Sequence, residues 1–433
     1  MRLATRVPVK LLLVSCILLL VPTTSAQTTS QPSAEELAQD PRVARAIDWL
    51  TKNASWINEE QVRITETAAP PFHESLRAAY LKRLLSAAGL RVRSDEAGNV
   101  IAERGGGTRN EWVVLSAHLD TVFPPGTDVR VKREGARLLG PGISDNGAGL
   151  AALVAVARAL HESRLKTQRN LVFVADVGEE GEGNLRGMRK FVDDNRSRLK
   201  YMIALEGAAT DYITNAALAS RRVEVILSGP GGHSWSDFGM PNPIHALARG
   251  VARFVKVHVP ENPRTTFNIG AIEGGTSVNS IPYRASIKVD MRSESEPELA
   301  RLENFLRDSI EAGVEEEMAA ARDRGVAGRG ANGKLETKFR VLGVRPGGEL
   351  PDSSPLLAAV RDVDRYLKNA SRLERSSTDA NIPLSLGIHA ISIGSGGRAG
   401  GAHSLGEWYE PAGRDLGLQR VLLTLLEVAG VTQ

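Results

Sequence analysis

The sequence predicts an α/β layered domain into which a smaller α+β domain is inserted, and two patterns carry that prediction. Apolar runs at 112–118, 171–177 and 201–206 alternate with an apolar helical segment at 147–161. Such alternation indicates a layered sheet, and strands this uniformly apolar are typical of strands covered on both faces. From residue 219 onward the strands instead alternate polar and apolar residues, which indicates a sheet with one face in water.

The inserted domain is predicted to run from 219 to 344 and to be ferredoxin-like, because its segments follow the order strand, helix, strands, helix, strand. A chain of 433 residues exceeds one ordinary core, which also favours two domains. The clearest inserted segments are strands at 221–229, 286–292 and 335–344 and a charged helix at 297–324. A helix at 355–367 and a strand at 388–394 return the chain to the layered domain, whose two parts are predicted at 27–218 and 345–433.

The first 26 residues differ from the rest of the chain. A basic start precedes the apolar run LLLVSCILLLV at 11–21 and the small residues Thr-Ser-Ala at 24–26. This order predicts a secretory signal peptide at 1–26, a periplasmic or secreted location, and a loose polar lead-in to about residue 40. An uncleaved anchor is less favoured, because this run is shorter than the ~20 apolar residues that span a bilayer. Lipid anchoring at Cys16 is a minority alternative, because the apolar run continues beyond that residue.

The charge balance limits the partners of the chain. Residues 1–26 carry three of its 54 basic residues and no acidic one, so 51 basic residues remain against 51 acidic ones. We therefore expect no nucleic-acid partner, and no membrane partner after signal cleavage. Cys16 is the only cysteine, so a metal site in the mature protein would use nitrogen and oxygen ligands.

Potential metal ligands follow the strands of the layered domain. They are His118 and Asp120 after the first strand, Asp145 before the apolar helix, Glu179 and Glu180 after the second strand, Glu206 after the third, and His403 in the returning segment. In open α/β sheets, ligands bind in the crevice beyond the carboxyl ends of the strands, where these groups would converge. Each residue alone is more often a turn residue or a solvated polar group. Together they are ligands suited to zinc, so we predict a metal site here.

The number of carboxylates fits two divalent cations. Asp145, Glu180 and Glu206 bring three negative charges, and a bridging hydroxide would balance the fourth positive charge if both histidines are neutral. Glu179 would then remain free to take a proton from the attacking water and pass it to a leaving amine. Asp120 is placed to accept the second ring N–H of the histidine two residues before it.

Eight short motifs resemble those of one enzyme family. They are SAHLDT (116–121), GISDNGAG (142–149), GEEGEGNLRG (178–187), ALEG (204–207), GPGGHSW (229–235), GGTSVNSIP (274–282), DMRS (290–293) and GAHSLGEW (401–408). The chain is similar to the dizinc exopeptidases and deacylases, which include carboxypeptidase G, peptidase T, aminoacylase, acetylornithine deacetylase and succinyl-diaminopimelate desuccinylase. The motifs cover nearly all of the chain after the signal segment, and GEEGEGNLRG looks most like peptidase T-like members.

The resemblance implies a zinc-exopeptidase-type fold that holds two Zn²⁺ ions, for which Co²⁺ or Mn²⁺ can substitute. Asp145 would bridge the two ions. His118 and Glu206 would complete one of them, and Glu180 and His403 would complete the other. The peptide bond that follows Asp145 is implied to be cis.

The resemblance also implies roles beside the metals. Glu179 would be the general base, and Asp120 would orient a ligand imidazole. The inserted domain would be a lid and dimerisation domain whose His233 reaches across a homodimer to polarise the scissile carbonyl. Asn279 and Arg292 match substrate-binding positions, and the guanidinium suits a carboxylate. A turn-capping role for His233 and a structural ion pair for Arg292 are the alternatives.

These expectations combine into a zinc-dependent exopeptidase that hydrolyses short peptides through a bridging water and a Glu general base, with cleavage at the amino end slightly preferred. An N-acyl-amino-acid deacylase or a carboxypeptidase of the same family is the first alternative. A non-catalytic metal-binding homologue is the alternative of another class, although every expected ligand position is filled. A serine hydrolase is disfavoured, because Ser234, Ser277 and Ser395 lack the Gly-x-Ser-x-Gly turn.

Overall fold

The computed structural model describes residues 32–324 and 333–432. The predicted signal peptide at 1–26, and Cys16 with it, lies outside the described residues. Before residue 218 the elements are α1 (Ala34–Gln39), α2 (Pro41–Lys52), α3 (Ala54–Glu66), α4 (Ser75–Ala87), β1 (Arg91–Ser94), β2 (Val100–Arg104), β3 (Arg109–His118), β4 (Lys132–Glu134), β5 (Arg137–Leu139), α5 (Gly147–Glu162), β6 (Arg169–Asp176), α6 (Arg186–Asn195), β7 (Leu199–Leu205) and β8 (Tyr212–Ala217).

The remaining elements fall into two groups. Those of the inserted segment, hereafter the insert (219–345), are β9 (Ala219–Ser228), β10 (Gly232–His233), α7 (Pro243–Phe254), β11 (Thr265–Gly274), β12 (Ser280–Ile281), β13 (Arg284–Ser293), α8 (Glu296–Asp323) and β14 (Glu336–Arg345). Those after the insert are β15 (Gly348–Glu349), α9 (Pro355–Leu367), β16 (Arg372–Ser376), α10 (Asn381–Ser385), β17 (His389–Ile393), β18 (Arg398–Gly400), β19 (Trp408–Glu410) and α11 (Arg414–Ala429).

A nine-stranded mixed sheet forms the centre of the layered domain. Its strand order is β1-β2-β6-β3-β7-β17-β8-β15, and β16 lies beside β8. Strands β6, β3, β7 and β17 are neighbours that run parallel. Their side chains are buried along nearly their whole length, as the continuous apolar runs predicted. The carboxyl ends of these four strands therefore meet at one edge of the sheet.

The expectation of a loose lead-in to about residue 40 is wrong from Ala34 onward. Ser33 and Glu36 form a capping box, in which each side chain accepts the other residue's backbone N–H, and this box begins α1. Ala34 and Leu37 are buried, and the Ala34 N–H donates to Asp362 of α9 at 2.8 Å. The polar composition concealed the helix, because only one face of it contacts the core.

The insert forms its own four-stranded antiparallel sheet in the order β11-β13-β9-β14. Helices α7 and α8 pack on one face around an apolar core. The other face is polar, and the strand register places Thr266, Arg292, Ser220 and Arg345 in one row on it. Arg222, on the same face, donates to the Gly181 carbonyl at 2.6 Å, so this face meets the loop that follows β6.

None of the helices in residues 32–324 and 333–432 combines the length and the apolar composition that crossing a bilayer requires.

Candidate metal centre

The candidate ligands lie where the parallel strands end. His118 is the last residue of β3, Glu180 lies in the turn after β6, and Glu206 directly follows β7. Asp145 lies in the turn before α5, and His403 lies in the loop between β18 and β19. Ligand atoms of His118, Asp145 and Glu180 all lie within 4.8 Å of one another. The fold thus brings together residues from five separate parts of the chain.

Asp145 lies between two histidines. Its Oδ1 atom is 3.1 Å from His118 Nε2, and its Oδ2 atom is 3.1 Å from His403 Nε2. Glu206 Oε1 is 3.4 Å from His118 Nε2, and Glu180 Oε1 is 2.9 Å from His403 Nε2. All five predicted ligands therefore converge, in the two His–Glu pairs around one Asp that the resemblance implied.

The electrostatics of the cluster favour positive charge between the carboxylates. Hydrogen bonds to Asp145 and Glu180 raise the pKa of His403 to about 10. Burial lowers the pKa of His118, but Glu206 and two further carboxylates raise it well above its usual value. For the Asp145 carboxyl, burial raises the pKa, but the two neighbouring imidazoles outweigh this effect and lower the pKa below its usual range. A cluster of buried carboxylates of this kind is suited to cations.

The residues fit a metal centre on a second observation. His118 Nε2 and Asp145 Oδ1 are buried, and neither makes a hydrogen bond of good geometry within the described residues. Buried polar atoms are nearly always satisfied, so two such atoms facing each other at 3.1 Å indicate that a ligand belongs between them. Imidazole nitrogens and carboxylate oxygens are the donor set that zinc takes in the absence of thiolates.

The turn that carries Asp145 is fixed by Glu407. This buried carboxylate accepts the backbone N–H groups of Gly142, Ser144 and Asp145 at 2.8 Å each, and the Ser144 hydroxyl at 2.7 Å. The Asp145–Asn146 peptide bond is cis, as the resemblance implied. Sequence analysis missed Glu407, although it lies inside the motif GAHSLGEW.

Asp120 contacts both the imidazole of His118 and the turn that carries Glu179 and Glu180. The His118 Nδ1 atom lies 3.0 Å from the Asp120 main-chain oxygen and 3.6 Å from its Oδ1 atom, so the nearer acceptor is the main chain. The two carboxylate oxygens of Asp120 accept the backbone N–H groups of Glu179 and Glu180 at 3.0 and 2.9 Å. One buried residue thus connects a ligand histidine to the turn that carries both glutamates.

Glu179 lies beside the ligands and is buried. Burial raises its pKa well above the usual value, Arg345 opposes that shift, and Glu180 adds to it. Arg345 Nη1 donates to Glu179 Oε1 at 2.9 Å. No sequence motif indicates Arg345, because this residue ends β14 of the insert and lies 166 positions from Glu179.

His233 and Asn279 lie together in the insert. Strands β10 and β12 pair His233 with Ser280, and the Ser234 N–H donates to the Asn279 carbonyl at 3.0 Å. His233 Nδ1 accepts the backbone N–H groups of Trp235 and Ser236. The ring proton therefore resides on Nε2, which suits donation to a carbonyl oxygen. Within the described residues of one chain, neither His233 nor Asn279 hydrogen-bonds to the five clustered ligands.

Arg292 lies on the polar face of the insert. Its Nε atom donates to Asp290 at 2.8 Å, and its side chain is 40% exposed. It lines a cavity of about 280 Å³ together with Leu218, Arg264, Thr266, Glu294 and Arg375. The lining holds three guanidinium groups and the carboxylate of Glu294, while Asp290 and Glu349 pair with Arg292 and Arg375 from outside it, so an anionic ligand would compete with these carboxylates.

The fold and the His/Asp/Glu cluster define a hydrolase of the metallopeptidase class. The model of Peptidase family M20/M25/M40 matches residues 114–427, well over half of the chain. The chain belongs to this family, which confirms the family predicted from the eight motifs.

Curated relatives include both carboxypeptidases and a protein without a stated activity. Uncharacterized protein YqjE of Bacillus subtilis is 26% identical over 364 residues, which cover 79% of this chain and 91% of that protein. A probable carboxypeptidase of Aspergillus terreus is 29% identical over 210 residues, covering 45% of this chain and 47% of that protein. Carboxypeptidase G2 of a Pseudomonas strain is 24% identical over 213 residues, covering 46% and 50%. The matches to these two carboxypeptidases span about half of their lengths.

Solved structures match over more of the chain. Aminopeptidase PepT from Bacillus cereus has a TM-score of 0.67 at 21% identity and covers 87% of this chain and 99% of that one. A tripeptidase from Staphylococcus aureus has a TM-score of 0.69 at 20% identity, covering 87% and 98%. Human carnosine dipeptidase 1 has a TM-score of 0.67 at 14% identity, covering 89% and 99%. At these identities the likeness shows a shared fold, and it confirms the predicted α/β architecture.

Proposed function

We propose that the chain is a zinc-dependent exopeptidase that holds two Zn²⁺ ions and hydrolyses an amide bond next to the end of a short peptide. The observation that carries this proposal is the position of Asp145 between the pairs His118–Glu206 and His403–Glu180, with Glu179 buried beside them. The two pairs would each hold one ion, and Asp145 would contact both. Bound there, the ions would polarise the scissile carbonyl and lower the pKa of the attacking water.

The side chains of the chain would supply the proton transfers. Glu179 would accept a proton from the attacking water and then give it to the leaving amine. Its buried position and its raised pKa both suit a group that must hold that proton between the two steps. His233, with its proton on Nε2, would donate a hydrogen bond to the carbonyl oxygen of a substrate bound to a partner copy.

We propose cleavage at the amino end of short peptides as the first candidate activity. It is supported by fold likeness over 87% of this chain to the aminopeptidase PepT and to a tripeptidase. A carboxypeptidase or an N-acyl-amino-acid deacylase is the second candidate. Support for it comes from curated relatives named carboxypeptidase, and from the cavity in which Arg264, Arg292 and Arg375 would meet a substrate carboxylate.

The test is hydrolysis by the zinc-loaded protein of one mixture, followed by mass spectrometry. The mixture contains free tripeptides, the same peptides with blocked amino ends, and N-acyl amino acids. Release of the first residue from free peptides only would support the first candidate, and cleavage of blocked or acylated compounds would support the second. The variant Glu179→Ala is expected to lose turnover while it retains zinc. A fully active variant, or a wild type that cleaves none of these compounds, would contradict the proposed function.

We further propose a homodimer formed through the insert. Large apolar side chains are exposed near His233, among them Trp235, Phe238, Val278 and Tyr283. Monomers rarely expose such clusters, so a second copy is a suitable cover. Mixing equal amounts of the inactive Glu179→Ala and His233→Ala proteins is expected to restore about a quarter of wild-type activity. After subunit exchange about half of the dimers are mixed, and each mixed dimer has one complete site out of two. No recovery after verified subunit exchange would contradict a role for His233 across the dimer.

The proposed location is periplasmic or secreted, and it rests on the sequence of residues 1–26 alone. Cell fractionation with mass measurement of the amino terminus tests it. A protein that begins near residue 27 in the periplasm or the medium is the expected result. A full-length chain in the cytoplasm, or one lipidated at Cys16, would contradict it.

A further inference from the structure

The loop that carries Glu179 is held from two sides. On the side of the layered domain, Asp120 accepts the backbone N–H groups of Glu179 and Glu180. On the side of the insert, Arg345 donates from Nη1 to Glu179 Oε1 at 2.9 Å and from Nη2 to the Glu179 main-chain oxygen. Arg345 therefore contacts both the carboxylate and the backbone of the same residue.

Arg345 is itself firmly placed. Both side chains of the ion pair are 6% exposed, and Arg345 Nη1 also donates to Ser377 Oγ at 3.0 Å. The end of β14 is also fixed at a second point, where the Val344 N–H donates to Asn184 Oδ1 of the same loop at 2.9 Å and Arg189 of α6 donates to the Val344 carbonyl. The guanidinium has little freedom to move relative to Glu179.

A contribution to folding stability does not by itself explain the buried ion pair between Arg345 and Glu179. Two buried charges lose their hydration, and Arg345 Nε has no hydrogen-bond partner among the described residues. Imperfectly satisfied buried pairs of this kind contribute little net stability and are often replaceable by apolar residues. The two bonds from Arg345 are better explained by a role in orienting the Glu179 carboxylate. With Oε1 held by the guanidinium, Oε2 is the carboxylate oxygen left to accept a proton.

We propose that Arg345 is a positioning residue for the general base, and that it couples the insert to the chemistry of the layered domain. The proposal rests on the proposed function, because it takes Glu179 as the base. Arg345 fixes the plane of the Glu179 carboxylate through a bond to one oxygen and a bond to the main chain. Because Arg345 belongs to the last strand of the insert, the base is aligned only while the insert is docked against its loop.

The experiment compares three substitutions of Arg345 with a matched control. Arg345→Ala removes the contact, Arg345→Met removes it while keeping the volume, and Arg345→Lys keeps a charge that can make only one of the two bonds. The control is Arg222→Ala, which removes a neighbouring guanidinium that bonds the same loop at the Gly181 carbonyl without touching Glu179. Zinc content, the absorption spectrum of the cobalt-substituted protein and the melting temperature are measured for all four variants.

The expected result is a loss confined to the chemical step. For Arg345→Ala and Arg345→Met, kcat is expected to fall ~10–100-fold with KM changed by less than about twofold, as for other residues that orient a reacting group. Arg345→Lys should recover part of kcat, and added guanidinium should partly rescue Arg345→Ala. Zinc content and the cobalt spectrum should stay unchanged, and Arg222→Ala should retain wild-type kcat to within about twofold.

A double-mutant cycle separates positioning from general stability. Glu179→Asp shortens the side chain, so the carboxylate bond to Arg345 is already lost and only the main-chain bond remains, and adding Arg345→Ala should then cost less than in the wild type. Equal losses in both backgrounds, or wild-type kcat in Arg345→Ala beside an inactive Glu179→Ala, would overturn the role of Arg345 and leave the proposed function standing. An active Glu179→Ala protein would overturn both.

Discussion

The two halves of the candidate metal centre use the same residue types but differ in how they are held. His118 ends a central strand, its side chain is 1% exposed, and its Nδ1 atom bonds the main chain of Asp120. His403 lies in a loop, its side chain is 56% exposed, and its backbone has a φ of 65°. Sites built on strands are more rigid than sites built on loops. The comparison teaches that the His118 half is preorganised, whereas the His403 half is the adaptable and accessible one.

The largest expected effect comes from removing the rigid ligand. His118→Ala should abolish turnover, because it removes a buried candidate ligand that the main chain of Asp120 orients and that lies out of reach of bulk solvent. Excess zinc should not restore activity. Steady-state assays with and without added zinc measure this, and recovery of activity at high zinc would mean that the strand-built half is not the preorganised one.

Removing the exposed ligand should have a smaller effect that zinc can reverse. His403→Ala is expected to lower kcat/KM ~100-fold at limiting zinc, and raised zinc should recover part of it because solvent can replace an exposed ligand. Its melting temperature should match that of the wild type. An effect as complete and as irreversible as that of His118→Ala would remove the distinction between the halves.

Asp120→Asn tests the support of the turn that carries Glu180, because the Asp120 carboxylate holds that turn whereas His118 contacts the Asp120 main chain, which the substitution keeps. The amide keeps the size of the side chain but loses one acceptor for the N–H groups of Glu179 and Glu180. The affinity of the zinc assigned to Glu180 and His403 is expected to fall ~10–100-fold, as for other residues that support metal ligands, because Glu180 loses part of its support while His118 keeps its main-chain acceptor. Zinc titration by calorimetry gives both affinities, and an equal loss at both steps would contradict a local role.

The smallest effect is a separation of the two zinc ions under chelation. With increasing chelator the wild type is expected to release its ions in two steps whose midpoints differ by about tenfold or more, because one half is preorganised and the other is not. In the His403→Ala variant, the release step at the lower chelator concentration should be absent. A single step that releases both ions together would instead indicate that Asp145 couples the two halves completely.

The convergence of the candidate ligands was predictable from the sequence because they lie at or after the ends of strands. His118 ends one apolar strand, Glu180 lies in the turn after a second and Glu206 directly follows a third, and parallel strand ends share one edge of a sheet. Their number of carboxylates also indicated two cations. The alternation of polar and apolar residues predicted that one face of the insert sheet would lie in water; that face is polar and Arg292 on it is 40% exposed, but Arg345 is buried against the loop after β6.

The residues that hold the ligands in place were not predictable. Arg345 contacts Glu179 across 166 positions, and Glu407 contacts Gly142 across 265. Such contacts depend on how the insert and the returning segment pack, which no local pattern encodes. The capping box at Ser33 and Glu36 was local and visible, and the polar composition around it caused the wrong prediction of a loose segment.

The place where the insert leaves the layered domain has a consequence for the history of the molecule. Strands β8 and β15 pair antiparallel, with Ala217 opposite Gly348. The whole insert therefore occupies the position of a hairpin turn between β8 and β15. In an ordinary hairpin that turn is about two to five residues long. A module attached in this way can be gained, lost or exchanged as one unit without altering the register of the sheet.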